Sequence, residues 1–285
     1  MSTLRPFRFG VVAAQAGSGE EWVAVARHAE ELGFSTMLVP DTLGRTLAPL
    51  TAIACAAAPT RRLRVGTYVL VNDFRHPVLL AREAATLDLL SGGRMELGLG
   101  VGRPNAAADY ATLGLTFDRG GARVDRLAAA LPIIKAQLER EGFPRPVQDP
   151  RPPILIAAGG RRMLALAAEH ADIVALAARP DEPEVALAER VAQLREAAPQ
   201  RFDSLELNVN LAAVGAELAP QALAYLQMDL EELVRVGSSV LLLGSPAEMC
   251  EELMRRREAL GVSYFTVPAS SMEVFAPVVE ALAGR

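Results

Sequence analysis

The stretch GTYVLVNDFRHPVLLAREAATLDLLSGGRMELGLGVG, residues 66–102, contains the alternating unit that decides the fold. Residues 63–71 form an apolar run typical of a strand, and residues 94–101 form a second one. Between them, residues 76–93 have helical spacing, with Pro77 in the first turn and glycines at the end. Strands that are apolar on both faces and alternate with helices indicate a parallel sheet covered by helices.

The same alternation continues on both sides of this stretch. Further strands are predicted at residues 7–14, 35–40, 153–159, 172–178, 205–214 and 263–268. Helices are also predicted at residues 17–34, 48–58, 119–141, 161–171, 183–198, near 219–236, 246–260 and 272–283. About eight strands in 285 residues predict an α/β fold, a (β/α)8 TIM barrel that forms a single domain over residues 1–285. A doubly wound open sheet is the alternative.

Composition argues against several classes of function. The formal net charge of -5, without a block of basic residues, disfavours a nucleic-acid partner. Cys55, Cys250 and three widely separated histidines offer neither a disulfide framework nor a typical metal site. Residues 1–21 contain only a short apolar run, so we expect no signal peptide, no membrane partner and a cytoplasmic location. Lys135, the only lysine, falls within a predicted helix, which argues against Schiff-base chemistry at strand ends.

Glycines concentrate at one strand end, where the active site of such a barrel lies. Gly98 and Gly100 are on the same face of their strand because side chains alternate. If that face points inward, the glycines leave space for a flat ring; if it points outward, they let a helix pack closely. Both interpretations remain open at this point.

A second glycine pair joins a predicted strand to a predicted helix in the sequence AAGGRR, residues 157–162. Gly159 and Gly160 at a helix N-terminus let backbone N–H groups converge on an anion, and the helix dipole adds to the attraction. Arg161 or Arg162 is a candidate clamp for the anion. The alternative is a tight strand-to-helix turn with solvated arginines.

Two polar residues near strand ends each have a functional and a structural interpretation. Asp41 ends the strand predicted at residues 35–40, where it is either a hydrogen-bond acceptor for a ligand or a cap of its own turn. Tyr110 lies in a predicted loop, as a candidate proton donor or a packing ring. His76 is interpreted as structural. Few ionisable groups at the strand ends suit an organic cofactor that carries the chemistry itself.

Taken together, these motifs resemble the luciferase-like monooxygenase superfamily, in particular the branch that uses the deazaflavin coenzyme F420. The resemblance is carried by residues 66–102, by PPILIAAGGRRMLALAAEHADIVAL (152–176) and by the end of the chain from LLLGSPAEM onward. It implies a barrel that is often dimeric, so we expect a homodimer. It also implies an oxidoreductase that moves a hydride between the deazaflavin and a small organic substrate, with reduction of an activated C=C or C=N bond as the first expectation. Alternatives are an FMN-dependent two-component monooxygenase and a non-catalytic barrel that binds a flavin or a phosphate.

The resemblance also implies roles for individual residues. It implies a bulge after the third strand, with a cis peptide bond that does not involve proline, behind the cofactor ring. The implied cofactor-binding residues are Asp41, Val71, Asn72, Gly100, Gly102, Asn105, Ala158, Gly159, Gly160 and Arg161. The candidate catalytic residues are Asp41, Thr42 and Tyr110. Thr42 and Arg103 stand where sugar-phosphate dehydrogenases of the superfamily have His and Glu, which argues against that substrate class.

Overall fold

The computed structural model describes residues 4–215 and 228–285. The strands in these ranges are β1 (Arg8–Val12), β2 (Thr36–Val39), β3 (Arg64–Thr67), β4 (Leu70–Val71), β5 (Met95–Gly100), β6 (Ile154–Ala158), β7 (Ile173–Leu176), β8 (Glu206–Asn210), β9 (Ala213–Gly215), β10 (Leu241–Leu243) and β11 (Val262–Pro268). The α-helices are α1 (Gly19–Glu31), α2 (Pro49–Ala57), α3 (Pro77–Ser91), α4 (Ala107–Thr112), α5 (Gly120–Glu139), α6 (Arg161–His170), α7 (Glu184–Ala197), α8 (Leu230–Arg235), α9 (Pro246–Leu260) and α10 (Met272–Leu282). Short 3₁₀ turns occupy Asn72–Phe74, Phe202–Ser204 and Ala269–Ser271. None of the helices in this described part is long and apolar enough to span a membrane.

Nine strands form one sheet in the order β3-β2-β1-β11-β8-β7-β6-β5-β4, and β3 also pairs with β5. Neighbouring strands are parallel, as in β1 with β11 and β5 with β6. Because β3 and β4 are two parts of one interrupted strand that both pair with β5, the sheet has eight strand positions and closes on itself. The (β/α)8 TIM barrel is therefore confirmed, and the open-sheet alternative is wrong.

The described chain consists of two compact units. The first unit comprises residues 13–27 and 37–157, and the second comprises residues 4–12, 28–36, 158–215 and 228–285. The prediction of a single domain over residues 1–285 stays a prediction.

Side-chain hydrogen bonds fix the elements of the first unit. Trp22 Nε1 donates to the carbonyl of Ala52 at 2.8 Å and so joins α1 to α2. Arg94, just before β5, donates to the Leu63 carbonyl at 2.5 Å and to the end of α2. His76 caps α3, because its Nδ1 accepts from the Val78 N–H at 3.3 Å, which confirms its structural role.

The second unit has an aromatic core beside a half-buried ion pair. Phe9 of β1 lies edge-on against Phe275 of α10, with 5.4 Å between the ring centroids. Arg8 donates to both carboxylate oxygens of Glu206 at 2.7 Å. Its guanidinium also lies 3.8 Å from the ring centroid of Tyr264. A planar guanidinium can pair with a carboxylate and stack on a ring simultaneously, so Arg8 ties β1 to β8 and β11.

The strand predicted at residues 205–214 is wrong, because this segment forms two strands in different sheets. β8 belongs to the barrel sheet, and β9 pairs with β10. The change occurs at Leu211 and Ala212: the Leu211 N–H donates to the Thr266 carbonyl at 2.8 Å, and the Ala212 N–H to the Val240 carbonyl at 2.8 Å. β10 was not predicted from its short apolar run.

Two other predictions differ from the structure or lie partly outside it. Tyr110, predicted in a loop, lies on the short helix α4. The helix predicted near residues 219–236 corresponds in the described chain to α8 alone, and residues 216–227 lie outside the described residues. α8 begins after Asp229, whose side chain accepts from the Glu232 N–H at 2.7 Å.

Candidate active site

The glycines of β5 face the interruption between β3 and β4. The Tyr68–Val69 peptide bond is cis, slightly earlier in the chain than the Val71–Asn72 position near which the resemblance implied it. A Cβ added at Gly98 would lie 1.9 Å from the Thr67 carbonyl oxygen, and one at Gly100 would lie 2.7 Å from Val69 Cγ2. The glycines therefore make room for the neighbouring strand. Neither an open void nor a closely packed helix explains their positions, while a cofactor contact at Gly100 stays a prediction.

Asp41 holds the end of β4 in place. Only 8% of this residue is exposed, and its Oδ2 accepts from the Val71 N–H at 3.1 Å and from Arg75 Nη1 at 2.5 Å. The turn after β2 does not use the Asp41 side chain. It is closed by the Thr42 N–H, which donates to Thr46 Oγ1 at 3.2 Å. The interpretation of Asp41 as a cap of its own turn is therefore wrong. Its predicted contact with a cofactor stays a prediction.

Tyr110 is anchored in an apolar cluster. It is 1% exposed, and its ring lies edge-on to Phe74 and Phe117. Its hydroxyl donates to Asp73 Oδ2 at 2.8 Å. Burial and the neighbouring Asp73 carboxylate raise the pKa of Tyr110 to about 12. The hydroxyl is thus protonated at neutral pH and its proton is engaged, which indicates an anchoring role; a catalytic role stays a prediction.

The hydrogen bonds of Asp73 with Tyr110, Asn72 and Arg126 were not predicted from the sequence. Asp73 accepts from Arg126 Nη2 at 2.7 Å as well as from Tyr110, and Asn72 Nδ2 donates to its Oδ1 at 3.3 Å. Burial raises the pKa of Asp73, but the hydrogen bonds from Arg126 and Tyr110 outweigh it and hold the pKa below its usual 3.8. The network joins the 3₁₀ turn after β4 to α4 and α5.

We expect Asp73→Asn to reduce the free energy of unfolding at neutral pH. A carboxyl group whose pKa is lowered by folding stabilises the folded state above its unfolded pKa, and this contribution is lost as the pH falls through the folded pKa. In urea titrations, the difference from wild type should therefore be constant near neutral pH and shrink below the usual value of 3.8. A difference that does not change over this acid range would contradict the assigned role of Asp73.

The loop after β5 is fixed by a buried arginine. Gly102 has a φ of +78°, a conformation that favours glycine. Arg123 of α5 donates from Nη1 to the Val101 carbonyl at 2.6 Å and to the Gly102 carbonyl at 3.1 Å. The Arg123 guanidinium also lies over the Phe117 ring. The backbone conformation at position 102 therefore accounts for the glycine without a cofactor contact.

A pocket of about 340 Å³ opens in the first unit at the ends of β2 and β5. It brings together Thr42 and Asn105, which the sequence analysis predicted separately. The full lining consists of Thr42, Leu43, Gly44, Arg45, Arg103, Asn105, Ala108, Asp109 and Thr112. Its size is within the range of small-molecule sites, and its polar lining suits a polar ligand.

In the second unit, the predicted anion loop connects β6 to α6. Gly160 is the N-cap of α6 in an extended conformation, and a Cβ added there would meet nothing within 4 Å. Two hydrogen bonds fix the loop. Arg190 Nε donates to the Gly159 carbonyl at 3.1 Å, and the Ala177 N–H donates to the Ala158 carbonyl at 2.9 Å. A helix N-terminus with open space beside Gly160 fits a phosphate.

Arg161 is the first residue of α6 and has no ion pair or side-chain hydrogen bond with another described residue. The predicted residues Ala158, Gly159, Gly160 and Arg161 form the connection from the end of β6 to the start of α6. Phosphate binding by this segment stays a prediction.

Residues 1–261 match the family model described as Luciferase-like monooxygenase. Over 121 residues the chain is 32% identical to the oxygenase component of flavin-dependent trigonelline monooxygenase from Acinetobacter baylyi, a match that covers 39% of this chain and 34% of that protein. Over 138 residues it is 35% identical to the F420-dependent glucose-6-phosphate dehydrogenase of Microbacterium testaceum, covering 45% of this chain and 40% of that protein. The chain therefore matches less than half the length of these curated relatives.

Among solved structures, the chain resembles the coenzyme F420 dependent tetrahydromethanopterin reductase from Methanopyrus kandleri. The TM-score is 0.77 at 18% sequence identity, and the match covers 97% of this chain and 99% of that one. At this identity the likeness shows the fold alone. The family match over residues 1–261 carries the assignment: the chain belongs to the luciferase-like monooxygenase family.

Proposed function

We propose that this protein is a coenzyme F420-dependent oxidoreductase that reduces an activated C=C or C=N bond of a small organic substrate. The observation that carries the proposal is the open start of α6, where Gly160 leaves space and Arg161 has no partner among the described residues. This arrangement fits the phosphate of a flavin-like cofactor. Membership of a family with F420-dependent relatives adds support for the deazaflavin.

The bound deazaflavin would supply the ring carbon that donates or accepts a hydride. The residues of this chain would bind and orient the cofactor and the substrate. The backbone N–H groups at the start of α6 and the Arg161 guanidinium would hold the phosphate. Asp41 would keep the end of β4 in position through the Val71 N–H and Arg75, and Thr42 would offer its hydroxyl to a substrate in the pocket.

The test is a spectroscopic titration of the purified protein with F420 and with FMN, followed by turnover assays. We expect F420 to bind more tightly than FMN and reduced F420 to be oxidised by an enone or imine substrate without oxygen consumption. Tight binding of FMN alone would overturn the cofactor assignment.

A second candidate function is an FMN-dependent monooxygenase. The flavin-dependent relative from Acinetobacter baylyi favours it. Oxygen consumption and hydroxylated product with reduced FMN would support this candidate against the first. Ligand binding without redox turnover across a broad substrate panel would instead support a non-catalytic barrel.

Arg161→Ala is expected to weaken FMN binding about tenfold and to leave riboflavin binding unchanged, because one charged hydrogen-bond partner of the phosphate is lost. FMN and riboflavin differ only in that phosphate, so the pair isolates its contribution. Fluorescence titrations of wild type and variant would measure both affinities. Equal losses for the two ligands would contradict a phosphate contact at Arg161.

A further inference from the structure

We propose that Arg45 and Arg103 bind an anionic group of the substrate, a carboxylate or a phosphate, in the pocket at the ends of β2 and β5. This inference rests on the proposed function and specifies the substrate class of the same site. We call this site the two-arginine pocket; it is lined by Thr42, Arg45, Arg103, Asn105, Asp109 and their neighbours.

The two arginines reach the pocket from different loops. Arg45 lies in the loop after β2, and Arg103 lies in the loop after β5. Neither side chain has an ion pair or a hydrogen bond with another described residue. In contrast, Arg75 and Arg126 of the same unit pair with Asp41 and Asp73. The two-arginine pocket therefore concentrates cationic groups that the described chain itself leaves unneutralised.

The charges in the pocket favour a small anion. Two guanidinium groups and the single carboxylate of Asp109 leave one net positive charge in a concave site of about 340 Å³. Guanidinium groups bind carboxylates and phosphates through paired N–H donors, which gives both strength and orientation. Asp109 adds an acceptor for a hydroxyl or amine elsewhere on the same molecule.

The anionic group has two possible sources, the substrate or the acidic tail of the cofactor. We assign it to the substrate because the pocket lies at the ends of β2 and β5 and includes Thr42, a candidate catalytic residue, whereas the cofactor phosphate is proposed at the start of α6. In a TIM barrel these positions surround the reacting groups. A substrate held there by its anionic end would be positioned with a few polar contacts rather than by apolar burial.

Modification of arginine by phenylglyoxal, mapped by mass spectrometry, tests this inference residue by residue. Benzoate and benzamide serve as probes because they share shape and size and differ in charge. We expect benzoate, and not benzamide, to slow modification of Arg45 and Arg103. Arg145, an exposed arginine outside the pocket, is the internal control and should react at the same rate throughout.

Binding measurements by calorimetry complete the test. Arg103→Ala should weaken benzoate binding by about 10- to 100-fold, Arg103→Lys by less, and Arg145→Ala should have no effect. Absence of protection by benzoate, equal protection by benzamide, or equal slowing at Arg145 would overturn the inference. Protection of both pocket arginines by F420 alone would assign the anion to the cofactor and also overturn it.

The same samples separate this inference from the proposed function. Benzoate protection is measured without cofactor, whereas the cofactor assignment depends on changes in F420 absorbance. If F420 does not bind and benzoate still protects Arg45 and Arg103, the cofactor proposal fails and anion binding stands. If F420 binds and benzoate gives no protection, only the substrate inference fails.

Discussion

Gly98→Ala is expected to lower the free energy of unfolding by about 3 kcal/mol or more, the upper end of the range for overpacked cores. The added Cβ would lie 1.9 Å from the Thr67 carbonyl oxygen, which is backbone and cannot rotate away. The Thr67 side chain is engaged at the same place, because its Oγ1 donates to the Gly98 carbonyl and accepts from the Gly98 N–H, both at 2.9 Å. The clash between the added Cβ and the Thr67 carbonyl can therefore be relieved only if β3 separates from β5. Urea denaturation followed by circular dichroism measures the loss.

Two further glycine substitutions provide the matched controls for Gly98→Ala. Gly19→Ala, at the start of α1, adds a Cβ that meets nothing within 4 Å, so it should be neutral or slightly stabilising. Gly100→Ala brings its Cβ to 2.7 Å from Val69 Cγ2, a side-chain atom that Val69→Ala removes. The cost of Gly100→Ala should therefore fall in a Val69→Ala background, whereas the cost of Gly98→Ala should persist. If Gly98→Ala is no worse than Gly19→Ala, the glycines do not serve the strand interruption.

The alternation of strands and helices was predictable because burial on both faces leaves a continuous apolar pattern along each barrel strand. The pattern failed at residues 205–214, where the apolar run continues through Leu211 while the backbone changes partners. That change depends on carbonyl groups of Thr266 and Val240, far away in the sequence. A local pattern contains no information about which distant strand accepts each hydrogen bond.

The glycines of β5 show the same limit at the candidate site. The sequence placed Gly98 and Gly100 on one face, but the reason for them is the backbone of Thr67 and the side chain of Val69 on another strand. The anion loop was easier to identify, since Gly159, Gly160 and Arg161 are consecutive in the chain. Sites assembled within one turn can be identified from sequence, whereas the contacts of Asp41 with Arg75 and of Asp73 with Arg126 depend on the fold.

Asp41→Ala is expected to cost about 2 kcal/mol of unfolding free energy, because it removes a buried carboxylate that accepts charged and backbone hydrogen bonds. The substitution leaves Arg75 without its carboxylate and the Val71 N–H without its acceptor. Asp41→Asn keeps an oxygen that accepts from the Val71 N–H, so it should lower the free energy of unfolding by less than Asp41→Ala. Asp109→Ala is the matched control: Asp109 has no ion pair or side-chain hydrogen bond with another described residue, so its loss should be within about 0.5 kcal/mol of neutral.

The double variant Asp41→Ala/Arg75→Leu distinguishes an ion pair from two independent losses. Replacement of both partners of a buried pair by apolar groups is often close to neutral, so the double variant should be more stable than Asp41→Ala alone. Urea titrations of the four proteins in the cycle give the coupling between Asp41 and Arg75. Additive losses would show that Asp41 does not stabilise the end of β4 through Arg75. In that case the loss in Asp41→Ala would come from the Val71 N–H, which the substitution leaves without its acceptor.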